Sequence, residues 1–250
     1  MPPGLGRSRC DTRPVERSAP AATYDQFAAA YAADNETNAF NALYERPAML
    51  ALLGELGGKR VLDAGCGAGA LAEAMLERGA AVTGVEVSQG MAELARQRLG
   101  ERASVHVADL ARPLAMFADD SFDLVAASLV LHYLERWEPT LGELARVLVP
   151  GGALALSTHH PTMDWRLAAG SYFETYQITE TWRKAGRRAR VTFWRRPLTA
   201  MIAAFRAAGF GIEDIVEPMP VPECAERFPD DYARLTRSPR FLFVRLRKPG

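Results

Sequence analysis

The 250-residue chain is short of several things, and each shortage removes a class of function. Its three cysteines, Cys10, Cys66 and Cys224, are too few and too scattered for a disulfide framework, which points to a reducing compartment. No apolar run approaches the roughly 20 residues that a membrane span needs. Basic and acidic residues balance at 30 each, so the chain lacks the charge excess of a nucleic-acid or anionic-membrane binder. Only four histidines are present, and they offer no convincing third ligand for a metal. The segment 1–22 carries prolines, serines and four arginines (Arg7, Arg9, Arg13, Arg17) but no apolar centre of signal-peptide type; it reads as a disordered tail or an expression remnant. These shortages predict a soluble, cytoplasmic protein with a small-molecule partner, using neither nucleic acid nor membrane, and they leave the oligomeric state open.

What is present is concentrated in one stretch, Val61-Leu62-Asp63-Ala64-Gly65-Cys66-Gly67-Ala68-Gly69. A short apolar run ends in an acid and passes into a loop in which every second residue is glycine. A strand feeding such a loop, followed by the helical pattern from Ala70 to Arg78, presents free backbone N–H groups at a helix N-terminus. Glycine lets the chain turn with positive φ and leaves room for a ligand where a Cβ would stand. The spacing Gly65-x-Gly67-x-x-Ala70 also satisfies the dinucleotide fingerprint, so it does not separate a nicotinamide cofactor from other adenosine ligands.

With Asp63 two residues before the first glycine and Gly69 continuing the spacing, the chain resembles the class I S-adenosylmethionine-dependent methyltransferases. Later landmarks follow in the same order. The strand Ala81–Glu86 ends in an acid suited to both ribose hydroxyls. Ser88 is placed to cap a helix bearing the stripe Met91, Leu94, Ala95 and Leu99, with Val87 and Met91 beside the pocket. A strand over Ala103–Val107 leads to Asp109-Leu110, where the resemblance implies binding of the adenine amino group. Phe122–Ser128 reads as a buried parallel strand that continues through Leu129 to Tyr133, and the resemblance puts Ser128 beside the methionine part of the cofactor. A helix stopped by Pro150-Gly151-Gly152 precedes the strand Ala153–Ser157.

Strand and helix alternate over residues 60–158, which requires a parallel sheet covered on both faces. The implied fold is α/β: a Rossmann-like, doubly wound, seven-stranded, mostly parallel sheet with an antiparallel last strand, an N-terminal helical lid and an inserted hairpin-like substrate region. The divisions expected are 1–22 tail, 23–56 lid, 57–160 cofactor-binding core, 161–196 substrate-covering insertion and 197–250 the C-terminal part of the sheet. In the lid, two helices are expected, broken near Asp34-Asn35, with Pro47 starting or kinking one of them. Tyr24, Tyr31 and Arg46 are its candidate contacts; alternatively the tyrosines only pack and Arg46 pairs with Glu45.

The expected cofactor, S-adenosyl-L-methionine, would be held by Tyr31, Arg46, Asp63, Gly65, Gly67, Gly69, Glu86, Val87, Met91, Asp109, Leu110 and Ser128. Thr158-His159-His160-Pro161 follows at the carboxyl end of the fifth strand, where open α/β sheets bind ligands. A neutral imidazole with a pKa near about 6.5 can remove a proton from an acceptor, and His159 is the candidate base. Tyr24, His132, His160, Trp165 and Tyr172 are candidates for substrate contact, and the aromatics of 162–196 either close a pocket or form a satellite core. Tyr172–Trp182 and Arg188–Trp194 are expected to pair as a hairpin, and the basic segment Arg183 to Arg196 to form a solvated turn or to receive an acidic group. The predicted activity is methyl transfer to an oxygen, nitrogen or carbon atom of a small molecule. A non-methylating protein on the same fold, or a nicotinamide-dependent oxidoreductase, stands as the alternative.

Overall fold

A computed structural model describes residues 24–25, 28–167, 170–184 and 187–250. The tail 1–22 and the hairpin turn residues Ala185 and Gly186 lie outside the described residues. Helix α1 (Ala28–Asn35) is followed by a π-helical turn (Asn41–Glu45) that runs directly into α2 (Arg46–Leu53). Then come β1 (Arg60–Ala64), α3 (Ala70–Leu76), β2 (Ala81–Glu86), α4 (Gln89–Leu99), β3 (Ser104–Val107) and β4 (Phe122–Ser128). The second half adds α5 (Glu138–Val147), β5 (Leu148–His159), α6 (Pro161–Leu167), β6 (Tyr176–Lys184), β7 (Arg187–Arg195) and α7 (Leu198–Ala207). The chain ends with β8 (Gly211–Val216), the short helices α8 (Glu223–Arg227) and α9 (Pro229–Leu235), and β9 (Phe241–Arg247). No described helix is long and apolar enough to cross a membrane.

Seven strands form one sheet in the order β3-β2-β1-β4-β5-β9-β8. β1 pairs parallel with β2 and β4, β2 with β3, and β4 with β5. The last strand, β9, enters antiparallel between β5 and β8. Alternate residues of a strand face opposite sides, so adjacent apolar residues feed two cores. Leu62, Val125, Leu154 and Leu156 meet Trp137, Leu141, Leu144 and Phe205 on one face. Val61, Leu124 and Ala155 meet Met49, Leu53, Met75 and Phe243 on the other. Leu62 and Leu154 are fully shielded, each removal from water stabilising the fold by roughly 1.5–3 kcal/mol.

Three local departures from the sequence expectation shape the site. The N-terminal helices do not simply break at Asn35: the chain re-enters through the π turn, where the Glu45 N–H donates to the Phe40 carbonyl at 2.9 Å. Pro47 follows in the first turn of α2, has no N–H, and crowds the carbonyl four residues back, so the preceding turn widens. Strand β4 ends at Ser128 rather than running on, because Leu129 takes a φ of 47° and the next residues coil into a 3₁₀ turn, Leu131–Tyr133. Strand β5 begins at Leu148 and passes through Pro150-Gly151-Gly152 instead of starting after them; Gly151 takes a φ of 73°, and the pairing with β4 shifts register between Phe122 and Leu124.

The hairpin of β6 and β7 is antiparallel, pairing Gln177 with Trp194 and Thr179 with Thr192. α7 follows Pro197 and is closed by Gly209 at φ 82°, as its sequence expects.

Candidate functional site

The carboxyl ends of the parallel strands carry Asp63, Glu86, Ser128 and Ser157 side by side, since Asp63 is level with Gly84 and Ala126, and Ser128 with Ser157. Above them lies a cavity of about 360 Å³, within the range of a small-molecule site.

The glycine loop forms its floor. The Gly65 and Cys66 N–H groups both donate to the Val85 carbonyl, at 2.8 and 3.0 Å, which locks the loop onto β2. Gly65 has a φ of 84°, and a Cβ there would stand 2.5 Å from a Val130 methyl. Gly67 donates its N–H to Glu86 Oε2 at 3.0 Å, and Ser88 donates its N–H to Oε1 at 2.9 Å. The Glu86 carboxylate is thereby fixed with its remaining lone pairs available to a diol, although burial lifts its pKa. Ser88 caps α4 by accepting from the Met91 N–H at 3.1 Å, and its hydroxyl donates to Asp25 at 2.6 Å, tying the N-terminal segment to the loop.

Asp63 is the unusual group. It is 1% exposed, and neither carboxylate oxygen has a hydrogen-bond partner among the described residues. Burial, followed by the charges of Glu45 and Glu86, pushes its pKa up to about 8. A buried carboxylate without a donor calls for a cation, and an amino-acid ammonium or a sulfonium meets that need.

Glu45, assigned no ligand role from sequence, is brought into the same wall by the π turn. It is 3% exposed, and its Oε1 accepts from the hydroxyls of Ser128 at 2.7 Å and Ser157 at 2.6 Å. The Leu129 N–H donates to the Ser157 hydroxyl at 3.0 Å, so the end of β4 is part of this network. Burial raises the Glu45 pKa, and the two serine hydroxyls oppose that rise. The signal in the sequence was an acid two residues before a proline, inside a run whose other residues build a buried face.

Eleven of the twelve expected cofactor residues line the cavity: Tyr31, Arg46, Asp63, Gly65, Gly67, Glu86, Val87, Met91, Asp109, Leu110 and Ser128. Gly69 is the exception. It is the left-handed N-cap of α3, packed on Leu99, and serves the turn rather than the wall. Arg46 donates to the Asn35 carbonyl at 3.0 Å and forms no ion pair with Glu45 among the described residues. Asp109 uses Oδ1 to accept from the Ala111 N–H at 2.9 Å, a turn role that coexists with its place on the wall.

The acceptor-side expectations divide. Tyr24 lines the cavity and shares a 2.5 Å hydroxyl contact with Tyr133, while Tyr31 packs edge-on against it at 4.9 Å. His159, the expected base, does not line the cavity. Its ring stacks on His132 at 4.1 Å and meets Phe193 edge-on at 4.6 Å, sealed beneath β7. His132 lies outside the cavity too, and burial, then His159, hold its pKa well below the ordinary imidazole range.

His160 turns the other way, bonded to Thr162 Oγ1 and Glu217 Oε1 at 2.7 Å each, and does not line the cavity. Trp165 and Tyr172 pack on each other at 6.1 Å, with Arg195 over the Tyr172 ring, and neither reaches the cavity. The hairpin contributes Gln177, Thr192 and Trp194 instead, and the turn after β4 contributes Leu129, Val130 and Leu134. Strand alternation explains the exchange: Thr192 and Trp194 face the cavity, so Phe193 and Arg195 face the histidines and Tyr172.

Comparison with known proteins supplies the remaining evidence. A family model described as a methyltransferase domain matches residues 62–156. An uncharacterized protein of Haemophilus influenzae is 30% identical over 228 residues, covering 83% of this chain and 88% of that protein. A ubiquinone biosynthesis O-methyltransferase of Aromatoleum aromaticum is 37% identical over 106 residues, which is 41% of this chain and 45% of that enzyme. The crystal structure of an S-adenosylmethionine-dependent methyltransferase from Mesorhizobium loti matches with a TM-score of 0.66 at 29% identity, covering 81% of this chain and 96% of that one.

Proposed function

This chain belongs to the class I S-adenosylmethionine-dependent methyltransferases, and we propose that it transfers a methyl group to a small molecule held between the lid residues and the hairpin. S-adenosylmethionine supplies a methyl group already activated by its sulfonium charge. The protein's task is therefore to align donor and acceptor in line and to exclude water.

The observation that carries this reading is the pair of fixed acids at neighbouring strand ends. Glu86, steadied by two backbone N–H groups, suits the ribose diol, and Asp63, which accepts no hydrogen bond from the described residues, suits the amino-acid cation. Arg46 is placed to meet a carboxylate, Asp109 the adenine amino group, and Met91 and Leu110 the flat faces of the base. Trp194 and the Tyr24–Tyr133 pair enclose the acceptor. No histidine lines this cavity, so a proton leaving the acceptor passes to a carboxylate or to water.

Calorimetric titration with S-adenosylhomocysteine, beside NADH, tests the cofactor site. S-adenosylhomocysteine should bind and NADH should not. Glu86→Ala should weaken binding by about 10- to 100-fold, the worth of one or two hydrogen bonds to a charged group. Binding of NADH alone would overturn the reading.

A further inference from the structure

Charge around the cavity is lopsided. Among the described residues, six carboxyl groups line it, on Glu36, Glu45, Asp63, Glu86, Asp109 and Glu135, against the one guanidinium of Arg46. Some are already engaged: Glu36 pairs with Arg98, and Glu86 and Asp109 accept backbone N–H bonds. Glu45 and Asp63 are buried and make no ion pair with any described residue, and Glu45 Oε2 accepts no hydrogen bond from the described residues. The donor brings two positive centres and one carboxylate. If Arg46 meets the carboxylate, the two cations offset Glu45 and Asp63, and Glu135 at the exposed rim remains uncompensated. A second anion brought into this wall is repelled at short range and low dielectric, whereas a cation is attracted. The cavity wall is also aromatic, with Tyr24, Tyr31, Tyr133 and Trp194 on it, and π faces favour a positive group.

We propose that the acceptor subsite takes a flat, amine-bearing molecule and rejects acceptors carrying a carboxylate or phosphate, with Glu45, Glu135 and the four aromatic rings setting that preference. This rests on the methyl-transfer reading above. The amine arrives as an ammonium and gives one proton to a wall carboxylate, Glu45 having the uncommitted oxygen. The freed nitrogen lone pair then bonds to the methyl carbon as the carbon–sulfur pair passes to sulfur. The products are a methylammonium and a neutral thioether, and the proton goes on to water.

The test is calorimetric titration of protein loaded with S-adenosylhomocysteine, using phenethylamine and hydrocinnamate, which share a ring and differ in the sign of their charge. Phenethylamine should bind at least about tenfold more tightly. Glu135→Gln, at an exposed position that leaves the fold intact, and Glu45→Gln should each shrink that preference by about three- to tenfold. Equal or tighter binding of hydrocinnamate, no binding of phenethylamine, or an unchanged preference in both variants overturns the proposal. Failure of S-adenosylhomocysteine to load instead defeats the methyl-transfer reading and takes this proposal with it. A loaded protein that prefers the carboxylate defeats the acceptor class alone.

Discussion

Asp63 shows how one residue trades stability for binding. An unfolded aspartate titrates near about 3.9, whereas burial lifts the folded group to about 8 in the ligand-free protein. Between these values the unfolded chain has released a proton that the folded chain keeps. Folding stability from this group is therefore greatest at low pH and is lost as pH rises toward the folded pKa. Asp63→Asn should raise the melting temperature of the free protein, by a gain that grows from about pH 5 to about pH 8 and reaches about 1–3 kcal/mol. A constant gain across that range in thermal melts would contradict the assignment. The donor cation needs the ionised carboxylate, so its affinity should rise as pH increases from about 5 toward about 7, with proton release on binding; Asp63→Asn should weaken binding and remove that rise. Reading the acid from its place before the glycines was possible from sequence. Its raised pKa was not, because that depends on burial and on Glu45 and Glu86 arriving from elsewhere in the chain.

At the scale of elements, the glycine loop and the hairpin set different quantities. Gly65→Ala places a methyl 2.5 Å from Val130 at a φ of 84°. It should cost about 1–3 kcal/mol of stability by denaturant titration and lower S-adenosylhomocysteine affinity, since the loop must shift. Trp194→Ala acts on the other wall. It should lower kcat/KM for the acceptor by about tenfold or more, while the S-adenosylhomocysteine Kd stays within about twofold. Comparable losses in both readouts would place Trp194 on the cofactor instead. The hairpin was legible as two strands, but which alternate residues faced the cavity was not. One step along a strand exchanges Phe193 for Trp194, and the face is set by the histidine stack beneath.

For the whole molecule, the closing strand matters most. β9 lies between β5 and β8, and Phe243 on it is 1% exposed against the core that holds Met49 and Leu53. The first helices and the last strand thus share one core. Phe243→Ala should cost about 3–5 kcal/mol in a thermal or denaturant melt, unfolding the sheet and the site together. A loss under about 1 kcal/mol would mean that β9 is peripheral.

The order of motifs in the chain determined the strand–helix alternation, the glycine loop and the acids at the ends of β1 and β2. These follow from local patterns: apolar runs, glycine spacing and period. Tertiary structure decided which groups meet over long separations. Glu45 reaches Ser128 and Ser157 from the end of a π turn that stands just before a proline. His159 faces away from the cavity because β7 lays Phe193 over it. Proximity between residues about a hundred positions apart is a property of packing, and no local pattern encodes it.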